Sequence, residues 1–294
     1  MNKKLLLILN PCSGQKKANR YIINIVSLFI SAGYDCTFYV TRFRGDATSY
    51  VEKNAHSFDL IVCVGGDGTL NEVISGMLKA QKDIPIGYIP SGSTNDFANS
   101  LKLSKNIMEQ ARNIIKGTAN YYDVGTFNGR CFTYIASFGA FTKVSYDTPQ
   151  TLKNSLGHLA YVLEGIKEFT EIKPIHARIT ADGQIYEDDY IFGAVSNSTS
   201  IAGFPAPNAK EVNLSDGLHE VLLIKNPVNP QELSNIALAL TTQKYSNDTV
   251  KFFTASKIEI ETDPLVNWTL DGEFAKGSES IVIKNLNRAI RIVK

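Results

Sequence analysis

The residues best suited to chemistry lie in one short run, Gly65-Gly66-Asp67-Gly68-Thr69, which follows the apolar stretch Leu60 to Val64 and precedes a helical spacing of apolar residues. Glycine permits positive φ and lets a ligand approach the main chain. The helix that follows points free amides and the positive end of its dipole into the same space. A phosphate fits there. A carboxylate among phosphate-binding amides repels a bare phosphate, so Asp67 makes most sense with a divalent cation bridging it to a nucleotide. An ordinary strand-to-helix turn explains the glycines but not the acid. The run therefore predicts a nucleotide site with Mg.

The elements that must hold this loop alternate. Lys3 to Leu9 reads as a buried strand running into Asn10-Pro11-Cys12-Ser13-Gly14 and a helix over about Lys17 to Ala32. Tyr34 to Thr41 reads as a strand, Asp46 to Ala55 as a helix, and Leu60 to Val64 as the strand that delivers the glycine loop, with its helix following Thr69. Ile84 to Ile89 is a fourth strand, ending at Pro90-Ser91-Gly92-Ser93-Thr94-Asn95-Asp96. Alternating strands and helices predict a doubly wound, mostly parallel sheet whose ligands lie beyond the carboxyl ends of the strands. After a helix at about Ile107 to Lys116 the pattern changes to strands: Tyr121 to Phe127, Cys131 to Ser137, Ile175 to Thr180, Ile185 to Val195 and Leu218 to Ile224. Helical spacing in this half is confined to about Ser155 to Glu171 and Gln231 to Thr241, and Asn128-Gly129 and Asp182-Gly183 read as hairpin turns. Strands return at Lys257 to Glu261, Ser280 to Lys284 and Ala289 to Val293. The expected fold is an N-terminal α/β nucleotide-binding domain over residues 1–120, completed by a C-terminal strand at about 288–294, and a C-terminal β-rich domain over 121–287.

At 294 residues the chain can bury two cores, and its formal charge of +1 offers no overall attraction for nucleic acid or acidic membrane. Cys12, Cys36, Cys63 and Cys131 are scattered with no CxxC, which favours reduced thiols in a cytoplasmic protein over a zinc cage or a disulfide framework. No segment approaches the ~18 apolar residues of a spanning helix.

Taken in order, Asn10 to Gly14, Gly65 to Thr69, Pro90 to Ala98 and Leu270-Asp271-Gly272-Glu273 resemble the motifs of the soluble bacterial diacylglycerol kinase family, which is related to sphingosine and ceramide kinases. The resemblance runs nearly end to end, and it implies that the β-rich second domain is a β-sandwich. It implies an ATP- and Mg-dependent kinase acting on the hydroxyl of a lipid alcohol, diacylglycerol first, to give phosphatidic acid. Asn10, Ser13, Gly65, Gly66, Gly68, Thr69, Glu72 and Ser93 would line the nucleotide site, with Arg20 and Thr41 approaching it. Asp67, Asp96 and Asp123 resemble the acids that hold the catalytic Mg through ordered waters, which suits their expected places at strand ends. Asp271 resembles the general base and Glu273 the acid that orients it, although Asp-Gly by itself is also a hairpin turn. Leu214, Asp216 and Leu218, with Pro207 to Ala209 nearby, resemble a second, structural Mg site, where Ser215 replaces a customary acid. Ser93 replaces a customary threonine and keeps its hydroxyl.

An NAD kinase shares a Gly-Gly-Asp-Gly loop and is the alternative; Asp271-Gly272-Glu273 together with the 207–218 segment argues against it. Phosphatidylglycerol, a prenol or a sphingoid alcohol are alternative acceptors. Transient contact with the inner face of the membrane is expected, with Phe138 to Tyr146 a candidate lipid entry whose aromatics equally suit a core. A homodimer is an open possibility.

Overall fold

The computed structural model describes residues 2–14, 17–139, 173–198, 200–201, 204–205, 212–245 and 248–294. The chain divides into two units, Met1–Val124 with Asn287–Lys294, and Gly125–Leu286.

The first unit contains β1 (Lys3–Leu9), α1 (Ile22–Ser31), β2 (Tyr34–Val40), α2 (Asp46–Asn54), β3 (Leu60–Gly65), α3 (Asp67–Ala80), β4 (Ile86–Pro90), α4 (Asp96–Ser100) and α5 (Ile107–Lys116). The chain leaves it within β5 (Ala119–Phe127). Its strands pair in parallel in the order β2, β1, β3, β4. Leu5, Leu7 and Leu9 of β1 join Val62, Val64, Phe29 and Ile114 in one core cluster, while the intervening Leu6 and Ile8 are fully buried on the opposite face. Burial of both faces is what a continuous apolar run in a parallel strand requires.

The predicted helix over Lys17 to Ala32 is divided, with a 3-10 turn at Lys17–Tyr21 before α1. Helix α3 begins earlier than its apolar spacing indicates, because Asp67 and Gly68 already form its first turn. An acid in the first helical turn is favoured by the dipole and hides the helix start from a periodicity reading.

The second unit contains β6 (Arg130–Phe132), β7 (Ile135–Gly139), β8 (Ile175–Ala181), β9 (Gln184–Ser196), the short β10 (Ser200–Ile201) and β11 (Phe204–Pro205), β12 (His219–Lys225) and α6 (Pro230–Thr242). It continues with β13 (Val250–Ala255), β14 (Lys257–Thr262), β15 (Trp268–Leu270), β16 (Glu273–Ala275) and the first part of β17 (Ser280–Val293), whose residues from Asn287 onward belong to the first unit. Its strands are antiparallel in the order β16, β15, β7, β9, β8, β14, β17, with β12 pairing β9 and β13. Trp268, fully buried between Phe127 and Phe138, centres its larger core. Phe138 is therefore core, and residues 140–146 of the expected lipid entry lie outside the described residues, as does the helix expected over Ser155 to Glu171.

Three departures have local causes. The single strand expected from Cys131 to Ser137 is two, broken at Thr133-Tyr134, whose amides turn to a side chain rather than to a neighbouring strand. The two strands expected in the last fifteen residues are one, β17, which pairs antiparallel with β14 at one end and parallel with β4 at the other. Arg288 interrupts its extended run at φ +53, between the two pairings. Strand β13 was hidden by Val250-Lys251-Phe252-Phe253, which lacks strict alternation.

Candidate functional site

The loops after β1, β3 and β4 interlock through glycine. A Cβ on Gly14 would lie 2.2 Å from the Ser91 carbonyl oxygen, one on Gly92 2.6 Å from the Gly66 Cα, and one on Gly65 2.5 Å from the Thr69 Cβ. Gly65, Gly66 and Gly68 all keep negative φ, so these glycines serve close approach rather than left-handed conformation; Gly14, at φ +53, needs both. Hydrogen bonds hold the same junction. Asn10 Nδ2 donates to Thr69 Oγ1 at 3.0 Å, the Asn10 amide donates to the Val64 carbonyl, and the Ser91 amide to the Gly65 carbonyl at 2.8 Å. The Thr41 amide donates to the Leu9 carbonyl, and the Ser13 amide to the Asn10 carbonyl, so both reach this edge of the sheet.

Asn95, which the motif reading passed over, closes the third loop. At φ +54, a conformation Asn tolerates, it accepts from the Gly92 amide at Oδ1 and donates from Nδ2 to the Gly92 carbonyl, each at 2.9 Å. Beside it Ser93 is exposed and lines a cavity of about 270 Å³ with Thr94, Asn99 and Lys105.

Asp67 is buried, and its carboxylate reaches across to the start of α4: Oδ2 accepts from the Asp96 amide at 3.1 Å and Oδ1 from the Phe97 amide at 3.4 Å. Two of the three expected metal acids are thereby joined, the carboxylate of Asp67 to the main chain of Asp96. Asp123 sits inside β5 rather than at its start, fully buried, with Oδ1 accepting from the Arg288 amide at 2.6 Å. Among the described residues no three His, Cys, Asp or Glu side chains gather into a group that would hold a metal ion. The donor set still suits Mg, which takes one or two carboxylates and fills its remaining positions with phosphate and water. Asp67 and Asp96 would be those carboxylates.

The other expected nucleotide residues divide. Glu72 spends both carboxylate oxygens on α2, accepting from the Gly45 amide at 2.7 Å and the Ala47 amide at 3.1 Å, so it caps one helix from another. Arg20 is exposed on the 3-10 turn before α1. In the second unit, Asp216 Oδ1 accepts from the Leu218 amide at 3.0 Å, and the Leu218 carbonyl accepts from Asn285 Nδ2 at 3.0 Å. With Leu214 buried and Ser215 folded back onto Asn213, this turn presents one exposed carboxylate. Pro207 to Ala209 lie outside the described residues.

Asp271 and Gly272, at φ +50 and +81, form a tight hairpin turn between β15 and β16, matching the turns at Asn128-Gly129 and Asp182-Gly183. The Asp271 side chain does more than make the turn. Oδ2 accepts from the Thr133 amide at 2.6 Å and the Thr133 hydroxyl at 2.8 Å, and Oδ1 from the amides of Tyr134 at 3.0 Å and Ile135 at 3.1 Å. Burial pushes this carboxyl above its usual range, and the four donors hold the rise back. Glu273, the acid expected to orient Asp271, pairs with Arg130 at 3.0 Å, and the donors that hold the Asp271 carboxylate come from Thr133, Tyr134 and Ile135. No local pattern marks these three, which stand 136 to 138 residues before Asp271.

Residues 4–127 match the diacylglycerol kinase catalytic domain, and residues 136–294 match the YegS C-terminal NAD kinase beta sandwich-like domain. A diacylglycerol kinase of Bacillus subtilis (strain 168) is 32% identical over 294 residues, covering 99% of this chain and 96% of that protein. The chain belongs to the diacylglycerol kinase family. Another member, from Staphylococcus aureus (strain MRSA252), is 32% identical over 99% of this chain and 92% of its own. The crystal structure of a diacylglycerol kinase from Bacillus anthracis str. Sterne superposes with a TM-score of 0.76 at 25% identity, covering 99% of this chain and 97% of that one. Family membership makes the protein a kinase, with the N-terminal α/β domain and C-terminal β-sandwich-like domain described above. Among the described residues no helix is long and apolar enough to cross a membrane.

Proposed function

We propose that this protein transfers the γ-phosphoryl group of ATP to the hydroxyl of a lipid alcohol, diacylglycerol, giving phosphatidic acid. The observation that carries the reading is the junction of three glycine loops at the carboxyl ends of β1, β3 and β4, with Asp67 and Asp96 side by side in it. Main-chain amides and the hydroxyls of Ser13, Thr69 and Ser93 would hold the phosphates, with Thr41 and Arg20 at the margin. Asp67 and Asp96 would hold Mg, with the buried Asp123 as the third acid of the set. Mg bound there neutralises charge that develops on the transferred group.

Asp271 would take the proton of the attacking hydroxyl. Its raised pKa brings it closer to the value a base needs near neutral pH, and its four donors fix its direction. Diacylglycerol as acceptor is supported by the names of relatives 32% identical along almost the whole chain. The protein would meet that acceptor at a bilayer surface, transiently, on the cytoplasmic side.

Purified protein, labelled ATP and Mg are incubated with mixed micelles of diacylglycerol, phosphatidylglycerol, a prenol or a sphingoid alcohol, and separately with NAD. Label should enter diacylglycerol, with a rate that follows its surface concentration in the micelle. Label in NAD alone would refute the reading in favour of an NAD kinase.

A further inference from the structure

We infer that Thr133 is a positioning residue for Asp271, its side-chain hydroxyl holding Oδ2 in the ionised state and being the one donor that can yield that lone pair to the acceptor hydroxyl. The inference rests on the reading of Asp271 as the base.

A carboxylate offers about four lone-pair sites. Here all are met by hydrogen bonds: two at Oδ2 from the amide and hydroxyl of Thr133, and two at Oδ1 from Tyr134 and Ile135. A base whose sites are filled can take a proton only if a donor gives way. Three of the donors are main-chain amides at the start of β7, where the chain is also tied by the Asp271 amide donating to the Ile135 carbonyl at 2.9 Å and the Asn197 amide donating to the Tyr134 carbonyl at 3.0 Å. Moving one of them would disturb two strands. The Thr133 hydroxyl can leave by rotation of one side chain. Thr133 is 1% exposed, so water does not compete for its hydroxyl while the bond is made.

Arg130 of β6 and Glu273 of β16 pair with each other, the Tyr134 hydroxyl lies beside Gly272, and Glu220 of β12 stands beyond Ser196, which itself pairs with Ile135. What sets the state of this carboxyl is burial against hydrogen bonding, and the hydroxyl is the part of that balance a mutation can remove cleanly.

The test is the pH profile of kcat/KM with diacylglycerol in mixed micelles, for wild type, Thr133→Val, Thr133→Ser and Asp271→Asn. Removing a donor to the ionised form should move the acid limb of Thr133→Val up by about one pH unit, while Thr133→Ser keeps the wild-type limb within a few tenths. Thr133→Ala removes the same hydroxyl without adding a methyl group and gives the same readout if the Val variant does not fold. An unmoved acid limb in the hydroxyl-free variant, with Asp271→Asn inactive, overturns the role of Thr133 and leaves the base in place. Near-normal turnover in Asp271→Asn overturns the base itself, and this inference with it.

Discussion

Replacing Asp67 by Asn separates the two uses of that carboxylate. Asn has one oxygen where Asp has two, so of the Asp96 and Phe97 amides, bonded at 3.1 and 3.4 Å, one keeps an acceptor and the other faces an NH₂ group. Asp67 is 9% exposed, so water cannot repair the loss. A hydrogen bond to a charged group contributes about 1.5–3 kcal/mol, and an unsatisfied buried donor costs about 1–3 kcal/mol. Taking roughly 2–3 kcal/mol for the whole effect, and an unfolding entropy of about 2.1 cal/mol/K per residue over a unit of about 130 residues, the first unit should melt roughly 7–11 °C lower. Asp96→Asn should behave differently, because its bond to Asp67 comes from the main chain and survives. Its melting point should stay within about 2 °C of wild type, while Mg-dependent ATP binding weakens as it does in Asp67→Asn. Thermal unfolding by circular dichroism without nucleotide, beside calorimetric ATP titrations with and without Mg, checks both. An Asp67→Asn protein that melts with the wild type would refute the joint between Asp67 and α4. A wild-type Mg response in both variants would remove the pair from the metal site.

Asp271→Asn keeps the size of the side chain but cannot take the proton, so turnover with diacylglycerol should fall by about two to four orders of magnitude with ATP affinity unchanged. Glu273→Gln, which weakens the part-exposed pair with Arg130, should cost far less; steady-state kinetics of the two variants compares them. His219, fully buried and stacked on Phe132, has its imidazole pushed down to about 4 by burial. Its folded value lies below the unfolded one of about 6.5, so the unfolded chain takes the proton first. Stability present above about pH 6.5 is therefore lost as pH falls towards 4, by up to roughly 3 kcal/mol. Urea midpoints between pH 7 and 4.5 should show a shallower fall for His219→Phe, and parallel curves would refute the assignment.

Much of the architecture is legible without coordinates, and the reason is locality. An apolar run such as Leu60 to Val64, ended by glycine and followed by helical spacing, declares a strand, a turn and a helix from neighbouring residues alone. The same holds for the three Asn-Gly and Asp-Gly hairpins, whose residue types are dictated by positive φ at adjacent positions. The grouping of Asn10, Gly66, Thr69 and Ser93 at one sheet edge follows from strand order, because loops after parallel strands share an end.

The sequence by itself thus determined the alternation of strands and helices in the first unit, the β-rich second unit, and which loops carry the chemistry. Tertiary structure decided what each carboxylate does. Asp67 caps α4 across 29 residues, Glu72 caps α2, Asp123 receives the Arg288 amide, and Asp271 gathers the start of β7, while Glu273 turns to Arg130. Nothing next to these acids in the chain names their partners. Each hydrogen bond joins segments brought together by pairing register and by glycines thin enough to let two loops touch, and register is settled by the packing of whole strands rather than by the residues that end up bonded.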